Sequence, residues 1–143
     1  MLKAINSFSS FSTDDIENAK AFYENTLEVE VKTNEMGILE LLLENNPVII
    51  YPKGKDHAPA SHTVLNFVVE DIEEAVDNLI QKGVTFEQYE KRVLTDRKGI
   101  CRNAQGPAIA WFKDSAGNIL SLMQDSPDTS EKNHGNIPEA GRT

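Results

Sequence analysis

Residues 64–86 read VLNFVVEDIEEAVDNLIQKGVTF, an aliphatic run typical of a strand followed by an amphipathic helix. The same plan occurs 56 residues earlier, when Asp15 is aligned with Asp71, in FSSFSTDDIENAKAFYENTLEVEV at residues 8–31. Each aspartate suits a helix N-cap, because its carboxylate accepts hydrogen bonds from the free N–H groups of the first turn. The repeat predicts a chain built from two similar halves.

Apolar residues mark one buried stripe on each predicted helix. They are Ile16, Ala19, Phe22, Tyr23 and Leu27 in the first half, and Ile72, Ala75, Val76, Leu79 and Ile80 in the second. Extended segments rich in aliphatic residues, separated by turn residues, follow each helix. We place them at residues 29–33, 37–43 and 47–51, and at residues 85–89, 98–103, 109–113 and 118–124. Each half therefore has the order β-α-β-β-β.

The predicted fold class is α+β, in a single domain over residues 1–125. The domain consists of two βαβββ modules, at about residues 4–52 and 62–124, joined by a linker at residues 53–61. Residues 126–143 are polar and offer little apolar surface to bury, so we expect a disordered tail there. A chain of 143 residues can bury a sufficient core without disulfides.

The chain is acidic, with 14 Lys and Arg against 23 Asp and Glu, a net charge of −9 and a pI of about 4.8. This charge repels phosphate backbones, so nucleic acid is not an expected partner. The sequence shows neither a signal peptide nor a membrane-spanning apolar run, so we expect a cytoplasmic protein without a membrane partner. Cys101 is the single cysteine, and no placed histidine supports it as a nucleophile.

Three segments together resemble the vicinal oxygen chelate superfamily, which contains glyoxalase I, bleomycin resistance proteins and extradiol dioxygenases. They are STDDIENAKAFYENTLEVEV, HTVLNFVVEDIEEAVDNLIQKGV and AWFKDSAGNILSLMQ, and the likeness covers roughly residues 4–124. The resemblance implies paired βαβββ modules whose sheets curl into an incomplete barrel around a ligand cavity. In relatives that hold a divalent metal, the ligands are His, Gln or Glu on the first and last strands of the modules.

The positions of this chain that match the family's metal ligands carry Phe8, Ile50, Val64 and Ser121. Three of these side chains have no donor atom, and a neutral serine is a weak ligand for the metals concerned. We therefore expect no metal cofactor in the usual place. An atypical site built from His62, Glu40 and Ser121 is the alternative, although His62 also fits an ordinary histidine at a strand end.

Strand alternation predicts which side chains face the cavity. If Phe11, Leu65, Phe67 and Val69 pack under the helices, the cavity side carries Phe8, Ser10, Ser12, His62, Asn66, Val68, Ile119, Ser121 and Met123. Trp111, on a neighbouring strand, can stack on a flat ligand or belong to the core. Asn66 needs a hydrogen-bond partner, which is a ligand, the backbone or water. The candidate ligand-binding residues are Phe8, Ser10, His62, Asn66, Trp111 and Ser121.

An apolar cavity with a few polar groups is typical of small-molecule sites. The favoured function is binding of a small amphipathic or aromatic molecule without a metal, as in bleomycin resistance proteins, and the acidic surface favours a cationic ligand. The alternative is a lactoylglutathione-lyase-like or dioxygenase-like enzyme with an atypical metal site or with His62 as acid–base. A cavity filled by its own side chains is the third interpretation. The resemblance also predicts a homodimer. The charged loop at residues 96–105 is either a lid or a solvated surface loop.

Overall fold

The computed structural model of the chain describes residues 1–91, 93–103 and 106–125. The predicted tail at residues 126–143 lies outside these residues. The chain forms two compact units, of which the first comprises Met1–Pro59 with Ser115–Gly117 and the second Ala60–Asp114 with, among the described residues, 118–125. No helix within the described residues is long and apolar enough to cross a membrane.

The first unit has the predicted β-α-β-β-β order. Its elements are β1 (Ser9–Thr13), α1 (Ile16–Ala21), β2 (Val31–Thr33), β3 (Leu39–Leu41) and β4 (Val48–Pro52), with a π-helical turn at Phe22–Thr26 after α1. The sheet has the strand order β1-β4-β3-β2. β1 and β4 pair in parallel, whereas the other neighbours are antiparallel. The first and last strands of the unit therefore lie side by side.

Helix α1 starts where the sequence predicts. The Asp15 carboxylate accepts hydrogen bonds from the N–H groups of Glu17 and Asn18, at 3.0 and 3.1 Å. The second copy ends its helix with Gly83, which has a φ of 96°, but the first copy has no glycine at its helix end. Glu28 takes the left-handed conformation instead, with a φ of 56°. A non-glycine residue in this region costs about 1–3 kcal/mol, so this chain reversal relies on surrounding packing.

The second unit repeats the plan with a longer helix. Its elements are β5 (Thr63–Val69), α2 (Ile72–Gln81), β6 (Ile100–Cys101), β7 (Ala108–Lys113) and β8 (Ile119–Gln124). The strand order is β5-β8-β7-β6, with β5 and β8 parallel. α2 packs against β7 and β8, and the Gln124 side chain accepts a hydrogen bond from the Ile72 N–H at 2.7 Å. This bond joins the start of the helix to the last strand.

The strand predicted at residues 85–89 is wrong, because only an isolated bridge from Phe86 to Phe112 forms there. The Glu87 N–H still donates to the Trp111 carbonyl at 2.8 Å. The Tyr89 N–H instead donates to the Thr95 hydroxyl at 2.9 Å, so the chain leaves the sheet and folds back on itself as a loop. The strand predicted at 98–103 is confirmed in its centre, as β6.

Alternation places the predicted residues under the helices. Phe11 packs against Tyr23, with ring centroids 6.4 Å apart. Leu65 and Phe67 lie opposite Leu120 and Leu122 on the face that carries the buried core beside α2. The helix-side predictions for β1 and β5 are therefore confirmed.

The turn between β7 and β8 is held by a buried carboxylate. Asp114 is 7% exposed, and its Oδ1 accepts a hydrogen bond from the Asn118 N–H at 2.9 Å. Its Oδ2 accepts a second bond from the Asn118 side-chain amide at 3.0 Å. The predicted Asp-turn-Gly-Asn hairpin is therefore confirmed, and it fixes the register of β7 and β8.

Replacing Asp114 by alanine should remove the acceptor of two hydrogen bonds from the buried Asn118. We expect Asp114→Ala to lower the free energy of unfolding by about 1–3 kcal/mol, measured by urea denaturation. Ser115→Ala, at the exposed tip of the same turn, should change it by less than about 0.5 kcal/mol. Equal stabilities of the two variants would contradict this role for the turn.

Candidate functional site

The two faces of the second sheet differ in what covers them. A buried hydrophobic cluster of Ile109, Trp111 and Met123 lies on the face opposite the α2 core, and no residue of α2 belongs to it. Tyr89, Val93, Cys101 and Ile119 pack against this cluster. We call this surface of the sheet the Trp111 face, defined by Asn66, Val68, Ile109, Trp111, Ile119, Ser121 and Met123.

Three predicted site residues form one row across the Trp111 face. Ser121 on β8 lies opposite Asn66 on β5 and opposite Trp111 on β7. The Ser121 hydroxyl, which is fully buried, donates a hydrogen bond to Asn66 Oδ1 at 2.5 Å. Asn66 itself is exposed. The structure therefore brings Asn66, Ser121 and Trp111 together, and the partner of Asn66 that the sequence left open is Ser121.

Trp111 is the centre of the Trp111 face. Only 2% of the residue is exposed, and its ring meets Tyr89 edge to face, with centroids 5.4 Å apart and an interplanar angle of 76°. Its indole Nε1 is buried, and no acceptor within the described residues lies in hydrogen-bond range. Tyr89, which the sequence analysis treated only as a strand residue, is thus a further candidate site residue.

A groove of about 520 Å³ lies along the loop that follows the Phe86 bridge. It is lined by Gln88, Tyr89, Glu90, Lys91 and Val93. Tyr89 and Val93 line the groove and also pack against the cluster around Trp111. Burial raises the pKa of Tyr89 above its ordinary value, and the nearby Glu87 carboxylate raises that pKa further. The neutral phenol ring of Tyr89 therefore lies between the groove and the Trp111 face.

Ion pairs fix the far end of this loop to α2. The Lys98 ammonium lies 2.8 Å from a Glu73 carboxylate oxygen and 2.9 Å from Asp77. Arg102 pairs with the other oxygen of Glu73. Hydrogen bonds to Glu73 and Asp77 raise the pKa of Lys98 above its ordinary value. The predicted lid region at residues 96–105 is thus joined to α2 by Lys98 and Arg102. Residues 104 and 105 of that region lie outside the described residues.

Strict alternation fails for His62. A register irregularity between Thr63 and Leu65 sets these two residues opposite the consecutive residues Ile119 and Leu120. His62 precedes β5 and is exposed, so the alternation that would place it beside Asn66 does not apply. The other two candidates belong to the first unit, where Phe8 precedes β1 and is 63% exposed, and Ser10 is an exposed residue of β1.

The position of Ile50 also differs from the prediction. Ile50 is fully buried and lies opposite Phe11 and Leu39, on the helix side of the first sheet. Its neighbour Ile49 lies on the other side, opposite Ser10 and Glu40. At this point of β4, Ile50 therefore lies on the helix side of the sheet and Ile49 on the opposite side, and neither side chain has a donor atom. Within the described residues, no three His, Cys, Asp or Glu side chains are grouped so that they could hold a metal ion.

His57 in the linker has a role that the sequence analysis missed. Its Nδ1 lies 2.7 Å from the Ser12 hydroxyl, and its Nε2 lies 2.9 Å from the Ala116 carbonyl. A carbonyl only accepts, so Nε2 donates to it, and in the neutral imidazole Nδ1 then accepts from Ser12. Both contacts lie within the first unit, where they hold the linker against β1. No local sequence pattern links residues this far apart in the chain.

The family model described as Glyoxalase/Bleomycin resistance protein/Dioxygenase superfamily matches residues 4–122. The chain belongs to this superfamily. The match covers both βαβββ units, so the predicted fold class and the resemblance are confirmed. No curated protein matches the chain.

Solved structures share the fold of this chain at low sequence identity. An antibiotic binding protein from a Streptomyces species is 20% identical, with a TM-score of 0.64, covering 88% of this chain and 99% of that one. A fosfomycin resistance protein from Listeria monocytogenes is 14% identical, with a TM-score of 0.65 and coverages of 90% and 98%. A lactoylglutathione lyase from Agrobacterium tumefaciens is 15% identical, with a TM-score of 0.62 and coverages of 86% and 95%.

The raised pKa of Tyr89 predicts how the stability of the folded protein depends on pH. The neutral phenol is favoured in the folded state, so its contribution to stability is complete below about pH 10 and is lost as the pH rises through the folded pKa. We expect Tyr89→Phe to remove a tyrosine transition with a midpoint above 10, observed by absorbance at 295 nm. Tyr51→Phe, which removes an exposed residue of the first unit, should leave that transition in place. A midpoint for Tyr89 below 10 would contradict its burial against Trp111.

Removing the ammonium of Lys98 should loosen the loop. Because exposed ion pairs contribute little, we expect Lys98→Met to speed amide exchange at residues 95–100 by only roughly two- to fivefold. Lys91→Met, an exposed lysine in the same loop, is the matched control and should leave these rates unchanged. Equal rates in both variants and the parent would show that the ion pairs do not hold the loop.

Proposed function

We propose that this protein binds a small amphipathic or aromatic molecule on the Trp111 face without the help of a metal ion. The observation that carries the proposal is the row of Asn66, Ser121 and Trp111, in which two polar groups border a buried aromatic cluster. Small-molecule sites have this composition, with apolar and aromatic lining and a few fixed polar groups. The adjoining groove of about 520 Å³ is large enough for a compound of drug size.

The side chains at the family's ligand positions support binding without a metal. Phe8 and Val64 have no donor atoms, and neither do Ile50, which lies on the helix side, and its neighbour Ile49 on the other face. The fourth position, Ser121, is a buried hydroxyl that already donates to Asn66. Transition metals in proteins require several imidazole, carboxylate or thiolate ligands. Hydrocarbon in these places favours an organic ligand.

Charge and relatives narrow the proposed ligand. A net charge of −9 attracts cations to the protein. One solved structure with the same fold is named as an antibiotic binding protein and another as a fosfomycin resistance protein. We therefore propose cationic aromatic compounds, antibiotics among them, as the ligand class to test first. The homodimer and the cytoplasmic location stay predictions.

The enzymatic alternative is a lyase or dioxygenase that uses an atypical metal site or His62 as acid–base. One solved structure with this fold is named as a lactoylglutathione lyase. His62 is exposed immediately before β5, so it is accessible to solvent. Turnover assays with added Ni²⁺, Zn²⁺, Mn²⁺ or Fe²⁺, in parent protein and in His62→Ala, distinguish this alternative from simple binding.

A panel of cationic aromatic drugs and dyes, screened by thermal shift in the presence of a chelator, tests the proposal. A compound that binds only the folded protein raises its Tm. We expect Trp111→Leu to weaken binding of such a compound about tenfold, because an aromatic contact contributes about 1–1.5 kcal/mol.

The control for this experiment is Phe112→Leu, which shortens the next residue of β7 on the helix side of the sheet. It should lower the Tm of the free protein but leave the affinity unchanged. Equal loss of affinity in both variants, or the absence of any shift across the panel, would contradict the proposed site and favour a cavity filled by its own side chains.

A further inference from the structure

The indole N–H of Trp111 is a buried donor without an acceptor. Nε1 is the single buried side-chain nitrogen or oxygen without a hydrogen-bond partner among residues 1–91, 93–103 and 106–125. Ile109, Met123 and Tyr89 are among the side chains that pack around the ring. An unpaired buried donor costs about 1–3 kcal/mol, and native proteins rarely retain one without a reason.

A second donor lies at the other end of the same row. The Asn66 amide oxygen accepts a hydrogen bond from the Ser121 hydroxyl, and the Asn66 NH₂ group adds N–H donors at this end of the row. The Ser121 hydroxyl already donates its one hydrogen in this bond, so it can only accept a further hydrogen bond. Trp111 and Asn66 lie on either side of β8, so their backbones are about 10 Å apart. The row therefore presents N–H donors at both ends.

The loop groove gives a ligand a route to Trp111. Tyr89 and Val93 line the groove and also cover the cluster that contains the indole. Both belong to a loop that contributes no strand to the sheet, so its side chains can move without breaking the ladder of β7 and β8. A flat molecule that displaces Tyr89 from the indole edge would stack in its place.

We propose that the ligand is a planar aromatic carbonyl compound whose oxygen accepts a hydrogen bond from Trp111 Nε1. This inference rests on the proposed function and adds the chemistry of the ligand. The aromatic ring would pack against the apolar cluster of Ile109, Trp111 and Met123, and the carbonyl oxygen would accept the hydrogen bond that Trp111 Nε1 lacks. A carbonyl accepts and does not donate, so it can pair with the Trp111 N–H.

The test compares two probes with the same ring system, 9-fluorenone, which has the carbonyl, and fluorene, which lacks it. The chain has a single tryptophan, so a ¹⁵N-labelled sample gives one indole cross-peak. We expect fluorenone to shift the indole proton downfield and to bind about tenfold more tightly than fluorene, the ratio expected from one hydrogen bond. Fluorene should bind through ring contacts alone, without the downfield shift.

Trp111→Phe keeps an aromatic ring and removes the N–H. In this variant fluorenone should bind no more tightly than fluorene, whereas fluorene should bind nearly as it does to the parent. Equal affinity of the two probes for the parent protein, with the indole proton unmoved, would overturn the inference and leave the proposed function standing. If neither probe binds, while cationic drugs raise the Tm, the inference is likewise overturned. If nothing binds, both fail together.

Discussion

The register of β8 with its two neighbours is the constraint on which the candidate site depends. Parallel pairing sets Asn66 opposite Ser121, and antiparallel pairing sets Trp111 opposite the same residue. Side chains alternate along a strand, so a slip of one residue would turn the whole row toward α2. The buried Asp114 turn fixes one pairing, and the bond from Ile72 to Gln124 fixes the end of β8. The row of Asn66, Ser121 and Trp111 thus depends on the pairing of β8 with β5 and β7.

Most of the fold could be predicted from the sequence because its signals are local. An aspartate N-cap and an Asp-turn-Gly-Asn hairpin each act within a few residues, and each is found where the sequence places it. The apolar stripe predicted for α2 is found in part, because Ile72 and Val76 are buried whereas Ile80 is 43% exposed. The same alternation placed Ser121 and Asn66 on one face. The superfamily could likewise be predicted from these local motifs, because they lie within the matched residues 4–122.

The remaining features depend on distant contacts. The irregularity before Leu65 removes the alternation argument for His62, and Ile50 lies on the helix side, opposite Phe11. Residues 85–89 have the composition of a strand, yet the Tyr89 N–H bonds to Thr95 and the loop covers Trp111 instead. Such contacts join residues that share no local sequence pattern. The groove and the unpaired Trp111 N–H therefore could not be predicted from the sequence.

The proposed site holds an organic ligand without an ion. Elemental analysis after exposure to Ni²⁺, Zn²⁺, Mn²⁺ or Fe²⁺ and exhaustive dialysis tests it most directly. We predict that no metal is retained in a stoichiometric amount. One equivalent of a cation, held by three or more protein side chains and lost in His62→Ala, would contradict the account.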